Sequence, residues 1–290
     1  MRTLEIPGKG IFDIPSDWDE LSVVQIKEIL KLSMKMMVGQ LDFDQFVVKA
    51  FYVISGIKRN WLSVFIEKKL SKRKLELKNA NAYQCGELYA DFLFKTPELD
   101  EEGNQKPWEF YYNTVVNYFP IIHASGVAFS GPKTYLQDLT FGEFRKAIDA
   151  MNVYAKSKDE ASLDDFFVVL YRPDRTPLPE ADLQALAKKA SKVPMYIKMS
   201  VFLWFTTCVH YLTSSEVEIN GRMLDFKMMF PKPEKDKKET GLGWTSLLFS
   251  MAKEGVFGDT DKTDSKQLYD VLMYMYDNHL QNLRAKTKTA

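Results

Sequence analysis

Histidine and cysteine, the side chains most often recruited to hold metals or move protons, are nearly missing: three His and two Cys in 290 residues. His123, His210 and His279 are not spaced for a shared helix face. Neither Cys85 nor Cys208 has a CxxC or CxxH neighbour. Ligand spacing therefore argues against a zinc site. Two cysteines in separate apolar stretches also make no disulfide framework, which points to a reducing cytosol. Charge of one sign is lacking as well, since 39 basic residues balance 39 acidic ones, so no global field draws the chain to nucleic acid or anionic lipid.

Phosphate-cradling glycine loops are absent: "GKG" (8–10) and "GLG" (241–243) lack the downstream Gly or Lys and the strand-to-helix context. No GxSxG elbow occurs. The N-terminus has no apolar secretory core. The longest apolar run, "PMYIKMSVFLWFTTCVHYL" (194–212), carries Lys198 and His210, and reads as a buried core helix, with His210 a satisfied buried imidazole. "GDTDKTD" (258–264) resembles a calcium loop only superficially. Asp264 stands where an EF-hand needs Gly, and Val271 stands where it needs Glu, so Asp264 reads instead as the cap of the last helix.

What is present is apolar and repetitive. At 46% hydrophobic and 13% aromatic, the chain can build a sizeable core. Two phrases match: "WDELSVVQIKEILKLSMKM" (18–36) and "LQDLTFGEFRKAIDAMNVY" (137–155). Ser22 with Gln25, and Thr140 with Glu143, have capping-box spacing. Leu21, Ile26, Ile29 and Leu30 share one helical face, as do Leu139, Phe144, Ala147 and Ile148. A buried helix follows each phrase, at 41–56 and 162–174, with Asp42 and Asp164 as N-caps or first-turn acids. These helices stop at Gly56 and before Pro173. A charged third helix (60–74, 179–192) and an apolar fourth (80–94, 193–212) complete each unit.

Strand–turn–strand signals precede the units at 3–15, 121–132 and 216–226, with turns at Pro7-Gly8, Ser125-Gly126 and Asn220-Gly221. The third is followed by a lysine-rich linker (231–241), read as a hinge with a partner-binding segment as the alternative, and two helices (244–255, 264–286). The stretch 97–107 reads as an exposed loop, 108–119 as an added helix, and the tail "AKTKTA" as frayed. The expected fold is thus mainly α. Repeated units of about four helices, each preceded by a short β-hairpin, divide the chain into 1–120, 121–215 and a hairpin, linker and helix pair at 216–290.

Lys68, Lys69, Lys72, Arg73, Lys74 and Lys78 form a basic helical run, read as a solvated face with Leu70 and Leu75 along one buried edge; phosphate contact is its alternative. The candidate partner-binding residues are the aromatics Trp108 and Tyr111, taken as exposed, and Trp244 after the hinge. No catalytic residue, cofactor or metal ligand is assigned.

The series "SGPKTYLQDLTFGEFRKA", "LDDFFVVLYRP", "EINGRMLDF" and "GWTSLLFSMAKEGVFGDTDKTDSKQLYDVLMYM" resembles uncharacterised tail-module proteins of tailed phages and prophages of gut bacteria, over nearly the whole chain. The "GW…GVFG" ending also resembles the small helical tail-assembly chaperones encoded beside the tape-measure protein. The resemblance implies a non-enzymatic protein that binds the tape-measure or tail-tube protein in the host bacterial cytoplasm. The alternatives are a structural virion protein of the neck, tail tip or baseplate, and a nucleic-acid-binding accessory protein. Thirteen Met residues suit an adaptable protein-binding surface, and no membrane partner is expected.

Overall fold

The computed structural model describes residues 1–6, 10–57, 69–100, 102–104, 106, 108–176, 178–219, 221–230 and 244–289. These form a mainly helical chain with small antiparallel hairpins ahead of helices. It divides into two compact units, 1–114 and 115–290. The segment 216–290, read above as a third domain, belongs to the second unit.

In the first unit, β1 (Arg2–Ile6) pairs with β2 (Gly10–Ile14). A 3-10 turn at Trp18–Glu20, capped by Asp17, leads to α1 (Val23–Met37). Ser22 caps α1, and Gln25 returns a bond to the Ser22 N–H, completing the expected capping box. Ile26, Ile29 and Leu30 are buried on the expected face. The cap of α2 (Phe43–Ser55) is Asp42, and its end is Gly56, whose φ of 64° is the left-handed C-terminal conformation that glycine adopts without a Cβ clash. The Gln25 amide also donates to the Val53 and Ile54 carbonyls at 3.2 and 2.9 Å, tying the start of α1 to the open end of α2.

Two expectations for this unit change. The third helix expected at 60–74 lies partly outside the described residues. Its end and the fourth helix are one element, α3 (Lys72–Tyr89), because "KLELKNA" contains neither Pro nor Gly to break it. Lys72, Arg73 and Lys74 are exposed there, and Leu70 and Leu75 half-buried. After α3 the chain forms a 3-10 turn and a two-residue hairpin, β3 (Phe94–Lys95) with β4 (Glu109–Phe110).

The helix expected over 108–119 does not form. Its polar groups are engaged elsewhere: the Thr114 hydroxyl donates to Asp19 at 2.7 Å. Val115 O accepts from the Trp204 indole at 2.9 Å, and Asn117 Nδ2 donates to Pro132 O at 2.7 Å. Tertiary hydrogen bonds have displaced the i→i+4 ladder.

The second unit opens with β5 (Ile121–Ala124) and β6 (Val127–Ser130), joined through Ser125 and Gly126, both at positive φ, as a two-residue type I′ turn requires. Next comes α4 (Phe141–Ser157), with Thr140 and Glu143 forming the second expected capping box. The cap of α5 (Glu160–Leu170) is Asp159, not Asp164. Asp164 lies two turns' reach further in, buried and bonded at 2.6 Å to Lys198, which is fully buried.

The charged and apolar helices α6 (Glu180–Ala190) and α7 (Met195–Ser214) follow, separated at Pro194. Trp204, Phe205 and Cys208 make α7 a core helix, as read, but His210 is exposed: the helix keeps one solvent-facing stripe. No described helix is long and apolar enough to cross a membrane.

A last hairpin, β7 (Glu216–Ile219) with β8 (Arg222–Asp225), precedes α8 (Trp244–Glu254), α9 (Thr260–Asp264) and α10 (Leu268–Thr289). The proposed hinge 231–241 lies outside the described residues. The tail backbone is helical to Thr289. Among the described residues Asp264 caps no helix: Asp259 caps α9, and Asp264 ends it.

Candidate functional site

Three sequence-distant segments meet at the start of α4. Backbone bonds set their register. Ser130 and Arg172 exchange N–H···O bonds of 2.9 and 3.1 Å, pinning the chain after α5 to β6. Phe141 N–H donates to Lys266 O at 2.8 Å, and Leu268 N–H to Leu139 O at 2.9 Å, fastening the α9–α10 junction to the α4 cap. The approach requires Gly142, because a Cβ there would lie 2.8 Å from Asp264 Cβ.

The charges converge as a result. Glu143 Oε2 accepts from the Thr140 N–H at 2.9 Å and from Arg175 Nη2 at 3.0 Å, while Oε1 accepts from Arg172 Nη2. Arg175 also lies 3.8 Å from Asp138, and Arg145 bonds Asp264 at 2.8 Å. Arg172 is 8% exposed, and burial pulls its guanidinium below the ordinary range, against the Glu143 carboxylate beside it. Arg145 Nε, Arg172 Nε, Arg175 Nη1 and Asp264 Oδ1 are buried with no hydrogen-bond partner among the described residues. Asp174 and Arg175 sit at φ of 48° and 56°, a strained pair that the surrounding ion pairs hold in place.

Two adjoining cavities, about 490 and 400 Å³, border this cluster and share Lys146, Val169, Leu178 and Leu183. The first also touches Glu143, Arg172 and Arg175; the second reaches Asp165 and Val168. The result is a groove with an apolar floor and a charged rim, suited to holding an apolar side chain beside polar groups. The cluster holds guanidiniums and carboxylates already paired to each other, an arrangement that fixes geometry rather than presenting a free nucleophile. No three His, Cys, Asp or Glu side chains among the described residues are placed to share a metal ion.

The aromatics proposed from sequence lie elsewhere and are half-buried, not exposed. Trp108 stacks on Phe43 at 4.3 Å and meets Phe94 edge-on at 5.1 Å. Tyr111 carries the Lys95 ammonium 5.3 Å above its ring, and its carbonyl accepts from the Trp18 indole at 3.1 Å. Trp244 packs against Phe144 and Phe230, at 5.0 and 5.2 Å. All three are engaged within their own units. Arg172, Arg175 and Arg145 were not singled out by sequence reading, although "LYRP" and "GEFRKA" contain Arg172 and Arg145. Their signal was only that both phrases lie among the resembling segments.

No family model, curated protein or solved structure matches the chain.

Proposed function

We propose that this chain is a non-enzymatic tail-assembly protein, a chaperone-like binder that holds a segment of the tape-measure or tail-tube protein in the groove of its second unit. One observation carries the reading. "DLTFGEFRKA", "LYRP" and the "GVFGDTDKTD" ending carry the resemblance to tail-module proteins, and Glu143, Arg172 and Asp264 from these three segments share one cluster on the groove's rim. Val169, Leu178 and Leu183 give the floor its apolar character.

Co-expression with the tape-measure protein, and separately with the tail-tube protein, tests the proposal. Co-purification with either, lost in Leu183→Asp, is the expected result; no complex with either protein overturns it. Mass spectrometry of purified particles adds a second decision. The chain in stoichiometric copies would instead make it a structural virion protein. Duplex DNA binding that falls steeply with salt and requires Lys72, Arg73 and Lys74 would replace both readings with the nucleic-acid one.

We also propose that the helical units are copies of one ancestral unit. The two capping boxes and the hairpin ahead of each support this. Superposing 22–56 on 140–171 in an experimental structure tests it; a different crossing of the two helices overturns it.

A further inference from the structure

Another cavity, about 600 Å³, lies away from the arginine cluster in the second unit. Its walls include Tyr135, Tyr211 and Tyr269, the carboxylates Glu218 and Asp270, and the amides of Gln137 and Gln267. Among the described residues that line it there is no lysine or arginine. Neither Glu218 nor Asp270 pairs with a cation among the described residues, and both are exposed. In a chain with equal numbers of acidic and basic residues, a concave site whose described charged residues are all acidic is a selective feature.

The rings are held in place. Tyr135 and Leu136 stand consecutively at φ of 59° and 57°, a conformation that non-glycine residues adopt only under constraint. Leu136 is fully buried, and the Tyr135 carbonyl accepts from the Tyr269 hydroxyl at 2.6 Å. These two anchors leave Tyr135 37% exposed at the cavity, its ring 5.6 Å from that of Tyr211. Glu218 is close enough that its charge helps raise the Tyr211 phenol, behind the larger effect of burial.

We propose that this cavity binds an arginine side chain of a partner polypeptide. Aromatic faces attract a cation through their quadrupole, and two carboxylates supply the countercharge. The amide oxygens of Gln137 and Gln267 and the Tyr269 oxygen accept hydrogen bonds, which a guanidinium with five N–H donors can satisfy together. The volume exceeds what a bare ammonium needs. The inference deepens the partner-binding reading, and rests on it only for the occupant being a polypeptide rather than a free amine.

The test uses the full chain with ¹³C-labelled tyrosine rings, titrated by NMR. The probes are acetyl-arginine-methylamide, the lysine and glutamate analogues, and spermidine. Saturable shifts of the Tyr135 and Tyr211 ring signals with the arginine probe, none with the glutamate probe, are expected. Glu218→Gln with Asp270→Asn should weaken the arginine probe about three- to tenfold, the scale of two partly exposed charge contacts. Both replaced side chains are exposed, so the double variant should keep its fold, read from its unperturbed tyrosine signals. Absent shifts, equal shifts with the glutamate probe, or an unchanged affinity in the double variant overturn the proposal. Tighter binding of lysine or of spermidine than of arginine overturns the occupant. Arginine binding without co-purification of a tail protein would reject the tail-assembly reading alone.

Discussion

Glu143 completes the capping box of its own helix and accepts from the Arg172 guanidinium, 29 positions along the chain. Gln25 occupies the same place in the first capping box and also reaches the end of the following helix, there by donating to two carbonyls. One local motif thus serves twice as a long-range tie. The carboxylate version selects arginines and the amide version selects open carbonyls, because each side chain can offer only its own hydrogen-bond chemistry.

Glu143→Gln should keep much of the cap yet leave Arg172 without its charge partner and Arg175 with only Asp138, 3.8 Å away. A buried cation left unpaired costs about 3–5 kcal/mol, reduced here by the partial exposure of Arg175. The cap itself is worth about 1 kcal/mol. Urea unfolding should therefore show Glu143→Gln losing more stability than Thr140→Ala. The reverse order would mean that the cluster contributes little.

Lys198 is fully buried and bonds Asp164 at 2.6 Å and Glu160 at 2.8 Å. Lys198→Met strands the buried Asp164 carboxylate and should cost about 3–5 kcal/mol. Adding Asp164→Leu should recover most of that loss, since an apolar pair needs no countercharge. Equal instability of the single and double variants in denaturant titrations would contradict this pairing.

Asp159 caps α5, and its carboxyl is held down to about 2 by hydrogen bonds from the Ser157 hydroxyl and from the Ser162 N–H and hydroxyl. A folded-state value below the unfolded one near 4 gives stability that is complete above the unfolded value. It is lost as pH falls from about 4 toward 2. The stability gap between the native chain and Asp159→Ala should therefore be steady from pH 7 to 5 and narrow below pH 4. A gap that widens on acidification would reverse the assignment.

Gly86 lies within α3 and buried against α2; a Cβ there would stand 2.4 Å from Val47 Cγ1 and 2.8 Å from the Val47 carbonyl oxygen. Helix propensity alone favours Gly86→Ala by about 1 kcal/mol. The overlap with fixed backbone should outweigh it, leaving a net loss of about 1–3 kcal/mol in thermal or urea unfolding. A raised melting temperature would show that the two helices can move apart freely.

The sequence by itself determined whatever depends on neighbours along the chain. Ser22 with Gln25 and Thr140 with Glu143 form their caps because the partners are three residues apart on a nascent turn. Ser125-Gly126 turns its hairpin for the same local reason. The buried faces of α1 and α4 also follow from helical spacing. Tertiary structure decided what depends on remote segments meeting. Only a long-range fold could place Lys198 over Asp164, and so turn an expected cap into a buried ion pair. It also drew 108–119 out of helix, because Val115 O and the Asn117 side chain found partners in other segments. The arginine cluster and the tyrosine cavity belong to the same class: their residues span more than a hundred positions, and no local period relates them.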